Sequence, residues 1–177
     1  MNLKDYIRSV PDFPKSGIMF RDITPMLKSA DAMKEVIRRM AEPFRDANLT
    51  SILAAEARGF VFGAPLAMEL GVAFVPVRKP GKLPGKTESF KYDLEYGSDS
   101  LEIHQDAVTQ GDRVLLVDDL LATGGTIEAC MKLAQQQGAE VVGAAFVIEL
   151  AFLNGRSRLQ NHQICSLLQY QTEDANE

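Results

Sequence analysis

The run Val114-Leu115-Leu116-Val117-Asp118-Asp119-Leu120-Leu121-Ala122-Thr123-Gly124-Gly125-Thr126 decides how the chain is read. Its first four residues are apolar without polar alternation, the pattern of a strand covered on both faces. That strand delivers two adjacent carboxylates to its carboxyl end, where they can be hydrated, and a turn of small residues then opens a helix. Ionised carboxylates only accept hydrogen bonds, so they suit the vicinal hydroxyls of a sugar. Gly124 and Gly125 let backbone approach a ligand with no Cβ in the way. Exposed N–H groups and the helix dipole at Thr126 favour a phosphate. Each feature alone has a plainer origin, since acids end strands and threonines cap helices. Side by side they describe a site for a ribose 5-phosphate.

Outward from this run, Ile52–Ala55, Val72–Val77 and Val141–Ile148 are further apolar stretches of strand length, with helical segments at Phe60–Leu70 and Ile127–Gln137 between strands. Strand–helix–strand units of this kind predict an α/β fold, a mainly parallel twisted sheet flanked by helices, with ligands at the carboxyl ends of the strands. Met33, Val36, Ile37, Met40 and Phe44 fall three or four apart and predict a helix from Ala32, with Asp31 near its start and Pro43 limiting its end. Two segments break the rhythm. Polar and apolar residues alternate over Lys91–Tyr96 and Ser100–His104, with Gly97-Ser98-Asp99 between them, which predicts an antiparallel hairpin with one wet face. The connection from Lys79 to Ser89, rich in Pro and Gly, is long enough to serve as a lid. No linker or repeat divides residues 1–177, so one domain is expected, with a polar tail over 171–177.

Composition narrows the function. The chain has 177 residues, 46% of them apolar, sufficient for a core without disulfide or metal staples. A net charge of −5 argues against a surface built for nucleic acid or an anionic bilayer. Cys130 and Cys165 have no CxxC partner and read as free thiols; His104 and His162 lack metal-ligand spacing. Charges at Lys4, Asp5 and Arg8 stand where a signal peptide needs an apolar segment, and no apolar run nears the ~18 residues of a membrane span, so a cytoplasmic location is expected. In this acidic chain Arg78, Lys79, Lys82, Lys86 and Lys91 form a basic run with Glu88 its only acid, suggesting an anion clamp. The segment Gly81 to Thr87 also mimics a nucleotide P-loop, but it is one residue short between its glycines, a coincidence.

The Val114–Thr126 run resembles the phosphoribosyl-pyrophosphate (PRPP) signature of the type I phosphoribosyltransferases, four apolar residues, two acids and a TGGT turn. Similarity to the adenine-specific branch of that family extends over nearly the whole chain: Gly17 to Pro25, Glu56-Ala57-Arg58-Gly59-Phe60, Arg78 to Gly85, Leu94-Glu95-Tyr96-Gly97 and Glu149-Leu150. The resemblance implies a small N-terminal hood over residues 1–30, a flexible loop and antiparallel flap over 79–104, and transfer of the phosphoribosyl group from PRPP to adenine, giving AMP and pyrophosphate. It assigns the ribose hydroxyls to Asp118 and Asp119 and the 5-phosphate to Ala122, Thr123, Gly124, Gly125 and Thr126. Pyrophosphate falls to Ala57, Arg58, Arg78, Lys79 and Lys82, with Arg58 also catalytic and a cis peptide expected before it. By charge alone, Arg58 could equally pair with neighbouring Glu56. The resemblance makes Glu95 the acid or base facing the purine, with Tyr96 beside it in the flap, and makes Met19, Phe20 and Arg21 the adenine contacts, Phe20 stacking on the base. Mg2+ is expected to arrive on PRPP rather than on protein ligands, and the enzyme is expected to be a homodimer.

Three other readings compete. A phosphoribosyltransferase for guanine, hypoxanthine or xanthine shares the ribose-phosphate loop, but the Phe20 segment and the Leu94–Gly97 flap favour adenine. A purine-responsive transcription regulator needs a DNA-binding module for which this N-terminus has neither room nor charge. A phosphoacceptor signalling domain also has paired aspartates, but near its start, and gives the glycine turn no task.

Overall fold

The apolar runs become four strands of a five-stranded, all-parallel sheet. The structure is a computed structural model that describes residues 1–93 and 98–173. In chain order its elements are β1 (Arg8–Val10), β2 (Phe20–Asp22), α1 (Thr24–Leu27), α2 (Ala30–Ala41), β3 (Ser51–Ala55), α3 (Arg58–Leu70), β4 (Ala73–Val77), β5 (Thr87–Asp93), β6 (Ser98–His104), β7 (Arg113–Leu121), α4 (Gly125–Gln136), β8 (Glu140–Leu150) and β9 (Gln163–Tyr170). The main sheet has the order β4-β3-β7-β8-β9, and every neighbouring pair in it is parallel.

Both faces of this sheet are covered, which is why its strands show no polar alternation. On one face Ile52, Ala54, Leu115, Val117, Ala145 and Val147 pack with Val36, Met40, Phe62 and Leu66 of α2 and α3. Their chain neighbours Leu53, Ala55, Leu116, Ala144 and Phe146 point the other way, onto Ile127 and Leu133 of α4 and Leu101 and Ile103 of β6.

The strand order places a crevice. From β3 the chain passes through α3 to β4 on one side; from β7 it passes through α4 to β8 on the other. The loops after β3 and β7 therefore diverge, leaving an opening between them at the carboxyl ends of the strands. Pairing is uneven there. β7 stays with β3 only as far as Val117, opposite Ala54, but with β8 as far as Leu121, opposite Glu149.

Several expectations change. β7 runs to Leu121, so Asp118 and Asp119 lie inside a strand, not at its end, and are uncovered only on the β3 side. The fifth strand, β9, has no unbroken apolar run to announce it: as a half-buried edge strand it tolerates Gln163, Ser166 and Gln169. A short antiparallel pair, β1 with β2, precedes the sheet. α2 begins earlier than its apolar stripe, because the Ser29 hydroxyl caps it by accepting from the Ala32 N–H at 3.2 Å, and it ends at Ala41 ahead of Pro43. The flap hairpin is longer than its alternation suggests. Thr87 already pairs with His104, and Asp93 with Ser98, so the Lys79 connection ends at Lys86, and Ser98 and Asp99 belong to a strand. Glu95 and Tyr96 fall outside the described residues.

The β8–β9 pairing leaves no room for a side chain at Gly143, where a Cβ would stand 2.4 Å from the Gln163 carbonyl oxygen and 3.0 Å from the Phe44 ring. Gly143→Ala should therefore lower stability by about 1–3 kcal/mol, the range for overpacking, read as a shift of the urea midpoint. An unshifted midpoint would mean that β9 does not dock in this register.

Candidate active site

A single ribbon wraps the crevice. A pocket of ≈ 190 Å³ is lined by Arg58 and the unbroken run Asp118 to Ile127. α4 begins at Gly125 with Gly124 as its N-cap, φ 84°, a left-handed conformation that glycine adopts without strain. Glycine has no side chain with which to cap, so the first N–H groups of α4 are left for a ligand. Tyr92 of β5 closes one side: its ring lies 3.5 Å from where a Gly125 Cβ would stand.

Asp119 is not hydrated as the sequence suggests, and Asp118 is half-buried. Asp119 is only 4% exposed, and Gly59 at the start of α3 comes so close that a Cβ there would stand 3.1 Å from Asp118 Oδ1. Burial pushes the Asp118 carboxyl well above the usual carboxylate range, and the adjacent Asp119 charge adds to it. Burial raises Asp119 as well, while the Arg58 guanidinium holds it back. Arg58 Nε lies 2.8 Å from Asp119 Oδ2, so the pairing with Glu56 that charge alone allowed does not form.

Arg58 is the first residue of α3, not the end of a strand, and the cis peptide is Glu56–Ala57, one link earlier than expected. Its guanidinium also reaches to 5.6 Å from the centre of the Phe20 ring. Phe20 packs edge-on against Phe13, their centroids 5.0 Å apart, and lines a second cavity of ≈ 250 Å³ with Val10, Phe13 and Asp22. Arg58 thus stands between an acidic, phosphate-compatible pocket and an aromatic one. Met19 is half-buried just ahead of β2. The Arg21 side chain turns inward instead, stacked 3.9 Å over Tyr170 with Nη1 donating to Ser9 Oγ at 2.6 Å.

The basic run is held by acids that its local sequence does not contain. Glu56 accepts from Arg78 Nη2 at 2.8 Å, from the Lys79 N–H at 2.7 Å and from Lys82 Nζ at 3.3 Å. Burial alone would raise the Glu56 carboxyl, but these donors outweigh it and hold it below its ordinary range. Lys79 Nζ pairs with Asp99 at 2.8 Å, and the Gly81 N–H donates to Glu102 Oε2 at 3.1 Å. The loop is therefore tied down in this structure, with its cations facing carboxylates.

Sequence reasoning missed Glu56 as the anchor of this loop and Tyr92 as the wall beside Thr126. The alternation in the hairpin carried the signal for Tyr92, since it sets which residues face inward. It also missed the pairing of buried Glu149 at the end of β8, where Arg156 Nη2 donates to Glu149 Oε2 at 2.8 Å. No local pattern marks that pair.

A raised carboxyl pKa has a thermodynamic consequence. The folded chain holds a proton on Asp118 at pH values where the unfolded chain has lost it, so stability falls as pH rises from the unfolded value of about 3.9 through the folded one, and the loss is complete above it. Asp118→Asn keeps the Oδ1 that accepts from the Asp119 N–H at 2.9 Å and removes the charge. Near neutral pH the ligand-free variant should melt at least about 2 °C above the parent by calorimetry; an equal or lower Tm would mean that the charge carries no such penalty.

Comparison with known proteins agrees with this geometry. The phosphoribosyl transferase domain family matches residues 24–167. The chain is 52% identical over 177 residues to the adenine phosphoribosyltransferase of Rhodopirellula baltica, covering 100% of this chain and 86% of the relative. It is 55% identical over 170 residues to that of Clostridium perfringens, covering 96% and 99%. The crystal structure of adenine phosphoribosyltransferase from Thermoanaerobacter pseudethanolicus superposes with a TM-score of 0.92 at 56% identity, over 95% of this chain and 98% of that one. With its parallel sheet, its antiparallel flap and identity of this extent, the chain belongs to the adenine phosphoribosyltransferases, the type I phosphoribosyltransferases of purine salvage that convert adenine and PRPP to AMP and pyrophosphate.

Proposed function

We propose that the family's reaction runs in the crevice between β3 and β7, with the residues of this chain in the following roles. The carrying observation is that one pocket is bounded by the adjacent acids Asp118 and Asp119, the glycine turn and Arg58. Asp118 and Asp119 accept from the ribose hydroxyls, and Ala122, Thr123, Gly124, Gly125 and Thr126 hold the 5-phosphate on backbone N–H groups at the start of α4. Bringing a polyhydroxylated sugar and its counter-charge to buried carboxylates relieves the electrostatic penalty of the empty site, so ligand and charge are matched.

The leaving pyrophosphate lies toward Ala57, Arg58, Arg78, Lys79 and Lys82. As the bond from the anomeric carbon to oxygen lengthens, positive charge grows on the ribose and negative charge on the departing oxygens, so stabilisation is mainly positional and electrostatic. For Arg58, Arg78, Lys79 and Lys82 to serve, they exchange Asp119, Glu56 and Asp99 for pyrophosphate. The pocket lining offers carboxylate and backbone oxygen but neither thiol nor imidazole among the described residues, a donor set that suits a hard cation. Mg2+ carried on PRPP oxygens supplies charge neutralisation to the leaving group.

Adenine is assigned to the Phe20 cavity, stacked on that ring beside Met19, with any contact from Arg21 made by its main chain because its side chain is buried against Tyr170. Glu95, with Tyr96 beside it, is assigned on the family resemblance to hold or move a proton on the imidazole side of the base, which favours attack by the other ring nitrogen. The resemblance also supports a homodimer, a cytoplasmic location and a hood made by residues 1–30. Among the described residues no helix is long and apolar enough to cross a membrane.

The variant Asp118→Asn/Asp119→Asn should remain folded and lose AMP formation from adenine and PRPP; undiminished turnover would remove the acids from the site. Glu95→Gln should lower kcat by about 10²–10⁴ while the KM for PRPP stays within about twofold. An unchanged kcat would take Glu95 out of the proton transfer.

A further inference from the structure

The back of the phosphate loop is braced by a segment to which no role has been given so far. After β8 the chain makes two short 3-10 turns, Ala151–Leu153 and Gly155–Leu159, the second anchored by buried Leu159. Here two backbones touch. A Cβ on Gly155 would stand 2.2 Å from the Ala122 carbonyl oxygen, and one on Gly124 would stand 2.8 Å from the Gly155 carbonyl oxygen. Across this contact Arg158 makes two bonds. Its Nε donates to the Thr123 carbonyl oxygen at 2.9 Å, and its Nη1 pairs with Glu128 in the first turn of α4.

Both bonds bear on a phosphate. In a trans peptide the carbonyl and the following N–H point in opposite directions. With the Thr123 carbonyl drawn back to Arg158, the Gly124 N–H is turned the other way, and Thr123 and Gly124 both line the pocket on the front of the loop. Glu128 poses a separate problem. An acid in the first turn of a helix is favourable for the helix dipole, but it competes with an anion for the same positive end. An arginine on that carboxylate cancels the competition without occupying the pocket.

We infer that Arg158 is a positioning residue for the 5-phosphate, fixing the direction of the Gly124 N–H and neutralising Glu128 so that the N-terminus of α4 stays attractive to an anion. The inference rests on the reading of Ala122 to Thr126 as the phosphate cradle, so its test must separate the two. Steady-state kinetics on Arg158→Gln should show the KM for PRPP rising about tenfold, with kcat and the KM for adenine changed by less than about twofold, since only binding of the phosphate end is weakened. Arg158→Gln/Glu128→Gln should recover about a third of that loss, because the unpaired acid is gone while the carbonyl bond is still missing. Arg158→Lys keeps the charge and should fall between the parent and Arg158→Gln. Thr126→Pro, which removes a cradle N–H within the first turn of α4 where a helix tolerates proline, should raise the KM for PRPP whatever Arg158 does.

An unchanged KM for PRPP in Arg158→Gln, or an equal loss in both substrates and in kcat, overturns the inference; the second result would mark a merely structural brace. Absence of rescue by Glu128→Gln removes the electrostatic half of it. If Thr126→Pro leaves the KM for PRPP untouched, the cradle reading fails and the inference with it, whereas an effect of Thr126→Pro without one of Arg158→Gln sinks the inference alone. Should Arg158→Gln fail to fold, Arg158→Lys decides: parental kinetics, or parallel losses in both substrates, overturn it.

Discussion

Two carboxylates side by side in a place from which water is largely excluded form the constraint around which this molecule is arranged. Asp118 and Asp119 sit where β7 outruns β3, on the open side of a ladder that β8 continues to cover. Burial and mutual repulsion disfavour their charges, and the one strong compensation in the structure is Arg58 on Asp119. A site of this kind is pre-stressed toward a ligand that brings hydroxyl donors and a cation with it. Glycines at 59 and 124 allow the close approaches that this arrangement demands, the first beneath α3 and the second behind the phosphate turn.

Charge in the rest of the crevice follows the same economy of partners. An acidic chain that must hold a polyanion keeps its cations occupied by carboxylates from distant segments: Glu56 for Arg78 and Lys82, Asp99 for Lys79, Glu128 for Arg158. These pairs lie at the surface or half-buried, where an ion pair is worth no more than about 1 kcal/mol in most cases. The pyrophosphate contacts proposed for these cations need only exchange such a pair, since a multiply charged ligand binds a cation more strongly than one carboxylate does. Glu149 with Arg156, like Asp119 with Arg58, is deeply buried on its acidic side, and there two guanidinium bonds offset the desolvation.

Much of this was legible in the chain. Unbroken apolar runs gave the central strands because a strand covered on both faces has no wet side to record. The Asp118 to Thr126 run gave the pocket because a single ribbon builds almost all of it, so adjacency in sequence is adjacency in space. β9 was hidden because an edge strand is half-wet and its composition is mixed. Arg21 was expected beside the base, but its direction was not legible: its side chain stacks on Tyr170, nearly the whole chain away. The basic run read as a free clamp, since the acids that hold it come from β6 and from the end of β3.

The sequence by itself determined the fold class, the ribbon that lines the pocket and the family, because each depends on residues close together along the chain, where spacing alone sets geometry. Tertiary structure alone decided that Asp119 is buried and Asp118 half-buried, that Arg58 faces Asp119 instead of Glu56, and which carboxylate each cation meets. Those outcomes depend on which distant segments the strand order brings together and on how much water remains between them, and neither quantity has a local trace in the order of amino acids.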